Sequence, residues 1–284
     1  FGKGALQNNL TGAENSAFGR TSMVLNTTGG QNAAFGRGTL QNNTSGSSNT
    51  ASGAFALFSN TTANNNTAVG YQAGYSNTTG IVNSYFGSNA GYSNTTGNSN
   101  CGFGFYSLQA NTAAENAGFG YYTLAGNTSG TANTALGSYA LRNNTTASNN
   151  TAVGYQAAYS NTTGANINAF GYKALNNNTT GGQNDAFSYS ALASNTTGSF
   201  NSAFGFTALT SNSTGSNNTG IGNYALYSNT TGSVNAAFGG GSLYANTTGT
   251  ENTAVGVNCL GGNTSGNYNT AMGRQALASN TTAS

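Results

Sequence analysis

The feature that most constrains this chain is a register of 17 residues that recurs along its length. An apolar residue followed by glycine appears as Phe1-Gly2, Phe18-Gly19, Phe35-Gly36 and Val69-Gly70, and continues through Phe238-Gly239 and Val255-Gly256 to Met272-Gly273. Two copies depart from type, Ser52-Gly53 keeping only the glycine and Phe187-Ser188 only the ring. One step, Phe103 to Phe119, is 16 residues long, and the missing residue falls where Asn111-Thr112-Ala113-Ala114 replaces the usual Asn-Thr-Thr-Gly. Written from its first Asn, the unit reads N-T-A-F-G-x-x-A-L-x-x-N-T-T-G-x-x, and 17 copies are present, the first and last incomplete. Segments 65–80 and 149–164 differ only at Gly74 against Ala158, which points to growth by tandem duplication.

A period this short cannot hold a pair of helices, and two glycines per unit oppose a helix. Short apolar runs bounded by Gly, Asn and Ser read as strands joined by turns. The expected fold is therefore all-β: a parallel β-solenoid, or β-roll, of about seventeen 17-residue coils. At the usual strand spacing such a stack would be roughly 80 Å long. Residues 1–284 read as one continuous array, expected to be a slice of a longer one because it opens and closes within a repeat.

Each position of the unit then becomes a ladder. The fourth position (Phe18, Phe35, Phe86, Phe103, Phe119, Phe170, Phe204 and Phe238 among its members) and the ninth (Leu40, Leu108, Leu141, Leu175, Leu209 and Leu243) are assigned to the interior, where their rings and branched chains would exclude water. The third position is almost always Ala and the eighth always small, which implies close backbone approach inside the coil or against a neighbouring chain. Glycine at the fifth and fifteenth positions is expected to supply bends with positive φ.

The twelfth position is Asn in every copy, including Asn26, Asn43, Asn60, Asn77, Asn94, Asn144, Asn161, Asn178, Asn195, Asn229, Asn246 and Asn263. In 16 of 17 copies it also heads an N-x-S/T sequon. Two readings follow, a glycosylated rod or a ladder of stacked amides, and one side chain cannot serve both. Asn111 keeps the Asn without the sequon, because Ala113 stands where Ser or Thr is needed. The first position is Asn in 15 of 16 copies and never carries a sequon. Both facts favour the ladder, and glycans on the adjacent Thr residues remain open.

Aromatic residues recur at the sixth position, as Tyr71, Tyr121, Tyr155, Tyr172 and Tyr189, and at the tenth. They have no room in a core already filled by Phe and Leu, and fit either packing between chains or contact with surface glycans.

The stretch Asn66 to Ala73, and its counterpart Asn150 to Ala157, resembles the head repeats of trimeric autotransporter (YadA-like) adhesins, and is similar to segments of phage tail fibres and bacterial surface fibres. That resemblance implies a left-handed β-roll, three chains wound into one trimer, and a role in attachment at a cell surface. The unit here is longer and richer in Asn and Thr.

Composition narrows the chemistry. Charged residues make up 4% of the chain, the net charge is +2, and there is no His. Charge is too sparse to draw in nucleic acid. No apolar run reaches a membrane span. The four acids, Glu14, Glu115, Asp185 and Glu251, lie far apart, so no catalytic, cofactor or metal site is expected. Cys101 and Cys259 are nine coils apart and cannot bridge within the chain. The expected function is structural: the shaft of an extracellular or cell-surface filament or adhesin, self-associating laterally or end to end. A glycan-binding adhesin or phage fibre is the alternative. A remoter one, ice binding, suffers because neighbouring Thr residues at the thirteenth and fourteenth positions would face opposite sides of a strand.

Overall fold

A computed structural model describes residues 2–284, so Phe1 of the first repeat lies outside the described residues. It contains sixteen strands of three residues each and, among the described residues, no helix. They fall into two compact units, one ending at Thr146 and the other Ala147–Ser284. The first carries β1 (Ser16–Phe18) to β8 (Thr134–Leu136), the second β9 (Thr151–Val153) to β16 (Thr270–Met272). Within each unit every strand pairs in parallel with the next in sequence, equivalent residues side by side, as in Ala169 against Ala186 and Phe170 against Phe187. This is a β-solenoid.

The ladder of backbone bonds extends well beyond the strands. In the second unit, Asp185 N–H donates to Asn201 O at 2.8 Å, Gly171 to Val153 O at 2.8 Å, Lys173 to Tyr155 O at 3.0 Å, Leu175 to Ala191 O at 3.0 Å and Thr179 to Thr196 O at 2.9 Å. Each coil thus satisfies much of its backbone through its two neighbours and the rest through its own turns, such as Asn178 N–H to Leu175 O at 3.1 Å, as buried peptide groups require.

The path of one coil is set by backbone handedness at four positions. The fifth holds glycine at strongly positive φ, for example 136° at Gly171, and Ser188 takes 133° where it replaces glycine. The seventh, ninth and seventeenth are left-handed too, though most of them are not glycine: Gln156 (54°), Ala158 (50°) and Asn166 (57°) in one coil, Leu175 (51°) in the next. A left-handed residue at the ninth position breaks strand alternation, so the adjacent eighth and ninth side chains both turn inward. The backbone cost for a non-glycine residue is ~1–2 kcal/mol. Burying a Leu contributes ~1.5–3 kcal/mol, which offsets it.

The interior is narrower than the sequence pattern suggests. Leu40, Leu108, Leu141, Leu175, Leu209 and Leu243 are fully buried, as are the third-position alanines and the Asn of the first and twelfth positions away from the terminal coils. The Phe ladder is not. Phe18, Phe35, Phe119, Phe204 and Phe238 are exposed, and Phe86, Phe103 and Phe170 are half-buried, so the expectation of a Phe core is corrected. The reason is alternation: third and fourth positions sit next to each other in a strand and must face opposite ways. Seventeen residues enclose too little volume for a ring facing a Leu, so Ala points in and Phe points out.

A second correction concerns glycine. The fifteenth-position glycines do not have positive φ. They are small because a Cβ there would meet the backbone oxygen of the next coil and the flanking Asn amides; at Gly164 it would lie 2.7 Å from Asn161 Oδ1 and 2.9 Å from Asn178 Nδ2.

Candidate functional site

The most regular feature is the pair of Asn ladders. At the twelfth position each amide donates to the amide oxygen of the coil before: Asn178 to Asn161 at 2.8 Å, Asn195 to Asn178 at 2.7 Å, Asn212 to Asn195 at 2.8 Å. Its second N–H goes to the fifteenth-position carbonyl of its own coil, Asn178 to Gly181 O at 2.8 Å. At the first position the oxygen accepts from the next coil's Asn, both from its backbone N–H and from its amide, as Asn184 does from Asn201 at 3.0 and 3.1 Å. The first-position amide also reaches a fifteenth-position carbonyl, Asn184 to Gly198 O at 2.8 Å. The two ladders therefore converge on the same row of carbonyls and close the polar half of the core.

This geometry decides between the two readings of the sequons. From Asn26 to Asn263 the twelfth-position Asn is fully buried, and its amide N–H groups are committed as at Asn178, so a glycan cannot occupy it in the folded coil. The 16-residue coil shows how far the ladder bends. Strands β6 (Cys101–Phe103) and β7 (Ala117–Phe119) remain in register across it. Asn111 turns its amide to Ala113 O at 2.8 Å, and Asn94 Oδ1 takes the Gly97 N–H at 3.0 Å instead.

The threonines of the Asn-Thr-Thr-Gly turn divide their work. The thirteenth-position hydroxyl donates to the next coil's backbone, Thr179 to Thr196 O at 3.0 Å, whereas the fourteenth, such as Thr180, is exposed.

On the outside run two ridges of rings. At the fourth position Phe170, Phe187 and Phe204 stack at 4.8 and 4.7 Å with ring planes within 6° of parallel. At the sixth, Tyr155, Tyr172, Tyr189 and Phe206 follow at 5.6, 5.0 and 5.2 Å. Tyr71 and Tyr121 are exposed at the same position in the first unit. Within the stacked runs the rings lie face to face, so the faces of Phe187, Tyr172 and Tyr189 are occupied by their neighbours on both sides.

Sequence reasoning missed one site altogether. Tyr85 stands at the third position where Ala is usual, and its ring is fully buried. It fits because the ninth position is Gly in two successive coils: a Cβ at Gly74 would lie 2.9 Å from Leu57 Cδ2 and 3.1 Å from the Tyr85 ring, and one at Gly91 would strike that ring. Three apparent irregularities of the repeat are therefore one exchange of volume. The Tyr85 hydroxyl has no partner at bonding geometry, since the nearby Asn100 amide is committed to Asn83 Oδ1 and Ala113 O. Burial pushes the phenol well above its ordinary range.

Both cysteines are free thiols, and burial raises each above the usual thiol range. Cys259 donates to Ala271 O at 3.2 Å from an eighth-position slot, while Cys101 is partly exposed on the outer face of β6. Among the described residues no group of three His, Cys, Asp or Glu is placed to hold a metal, and no helix is long and apolar enough to cross a membrane. No protein-family model matches the chain, and no curated protein matches it.

Proposed function

We propose that this chain is a structural protein, the shaft material of an extracellular filament, in which coils of one copy pack laterally against another through the Phe and Tyr ridges. The observation that supports this most is the outward Phe row. A Phe buries ~150–250 Å² when fully covered, and these rings stand about 40% open at Phe204 and Phe238. In the second unit the four Phe of the fourth position and the four rings from Tyr155 to Phe206 leave roughly 600 Å² of ring surface, at the top of the ~300–600 Å² of the largest patch on a typical monomer. It is comparable to the ~800 Å² that each partner buries in a standard interface. Nearly every other buried group is used up in holding coil to coil, which suits a shaft.

The test is light scattering and electron microscopy of the chain beside a Phe170→Ser, Phe187→Ser, Phe204→Ser variant. Ser52 already occupies this outward row in one coil, so the variant is expected to keep its β-structure and lose its association. A wild type that stays monomeric, or an oligomer indifferent to the three substitutions, refutes the reading.

A further inference from the structure

The first unit carries a groove that the filament reading does not use. It lies between the seventh- and tenth-position rows and comprises two adjoining cavities of about 230 and 200 Å³ that share Gln109. The larger is bounded by Asn89 and Tyr92 in one coil and Tyr106 and Gln109 in the next, with Gln72 beyond. Aromatic and amide corners alternate across the cell, because Tyr106 succeeds Asn89 in the register and Gln109 succeeds Tyr92.

Two ring columns end at this groove. The column Phe58–Tyr75–Tyr92, stacked at 5.1 and 5.2 Å, stops at Tyr92 because the following coil offers Gln109. The column Tyr106–Tyr122–Tyr139, stacked at 5.0 and 6.0 Å, starts at Tyr106 because the preceding coil offers Asn89. Both terminal rings line the cell, and Tyr106 also meets the Phe105 ring edge to face at 4.2 Å.

The amides are also underused. Asn89 is 9% exposed, yet its side chain makes a single long bond, 3.5 Å to Ser88 Oγ. Among the described residues, Gln72 and Gln109 have no side-chain hydrogen-bond partner. Gln72 and Gln109 are half-buried, so their amides are free to pair with a ligand in the groove.

From these observations we infer that the groove binds a neutral oligosaccharide, one sugar ring to each cavity. An amide offers a donor and an acceptor together, which suits a pair of hydroxyls, and an aromatic ring suits the C–H face of a pyranose. The groove has no carboxylate for a cation. Its one charge, Arg142, is drawn over the Tyr122 and Tyr139 rings at 5.4 and 5.7 Å, and a lone guanidinium so placed is a poor anion site. The cavities are smaller than the ~300–1,000 Å³ of drug-sized pockets. The site stands whether or not the chain forms filaments.

Nuclear magnetic resonance titration of the full chain with cellohexaose, maltohexaose, chitohexaose and acidic hexagalacturonate tests this. Saturable binding of at least one neutral hexasaccharide is expected. Tyr92→Ala and Gln109→Ala should each weaken it about three- to tenfold, the loss of one ring contact or amide pair. Tyr172→Ala, on the outer ridge, should leave it unchanged. Should Tyr92→Ala fail to fold, Gln109→Ala and Gln72→Ala carry the test, since both side chains are half-buried at the groove edge. Failure of all three neutral sugars to bind, binding of hexagalacturonate alone, indifference to the groove variants, or equal loss in Tyr172→Ala overturns the proposal.

Discussion

A single amide in the twelfth-position ladder illustrates how much this fold asks of one side chain. Asn178 donates to Asn161 Oδ1 and Gly181 O, and its own oxygen accepts from Asn195 at 2.7 Å. Replacing it with Ala removes three bonds and strands at least one buried partner on each side, at ~1–3 kcal/mol for each unsatisfied group. Asn178→Ala should therefore cost roughly 3 kcal/mol in chemical denaturation, and Asn178→Gln should not restore it, because the longer arm misplaces both amide ends. Peptide mapping of folded protein from a glycosylating host should find Asn178 bare. Tyr85 makes the opposite case. Its hydroxyl is buried without a partner, so Tyr85→Phe should stabilise the chain by about 1 kcal/mol. Gly91→Leu, which restores the usual residue, should be severely destabilising beside Tyr85 and far less so with Tyr85→Ala, a coupling that a double-mutant cycle in urea measures.

At the scale of one coil, the backbone signs decide which face a residue takes. The period, the parallel stacking, the Leu row and the Asn ladders were all legible in the sequence, since each follows from one residue type recurring in register. The orientation of the Phe row was not, because apolar character alone does not say which side of a strand is inside. A better signal lay beside it: the third position is almost uniformly Ala, while the fourth accepts Phe, Val, Leu, Ile, Met and Ser52. A cramped interior enforces uniformity, and an open face tolerates variety. Left-handed Leu at the ninth position was equally hidden, as no propensity would place Leu there. The groove escaped notice because it arises where two ring columns end, which only the stacked arrangement reveals. Ser188 tests the backbone argument directly. It adopts a φ of 133° at a position that is otherwise glycine, so Ser188→Gly should relieve strain of about 1 kcal/mol and raise the melting temperature by a few degrees.

For the molecule as a whole, stability should behave as a sum over coils, each held only by its neighbours. Within the second unit every ladder repeats at 17 residues, as the partners of Asn195, Asn212 and Asn229 show. Removing residues 202–218, one full period, would bring residue 201 onto residue 219 with every inward position still inward. That deletion should leave the circular dichroism spectrum unchanged and lower the melting temperature by only a few degrees. Removing nine residues, 202–210, deletes the strand Ser202–Phe204 and its Leu209 and throws the following coils out of step with those before. The Asn of one coil would then oppose the wrong slot of the next, burying unpaired amides and exposing Leu, so the transition should become broad or split. The natural 16-residue coil marks the one tolerance the fold displays: its missing residue falls in the turn after Asn111, where the amide can retarget to Ala113 O without moving a strand. Deleting a residue from a strand such as β7, where the Phe119–Phe103 pairing leaves no slack, should be far more damaging than the turn deletion already present. If single deletions in strand and turn proved equally mild, stacking of equivalent residues could not be what holds the coils together.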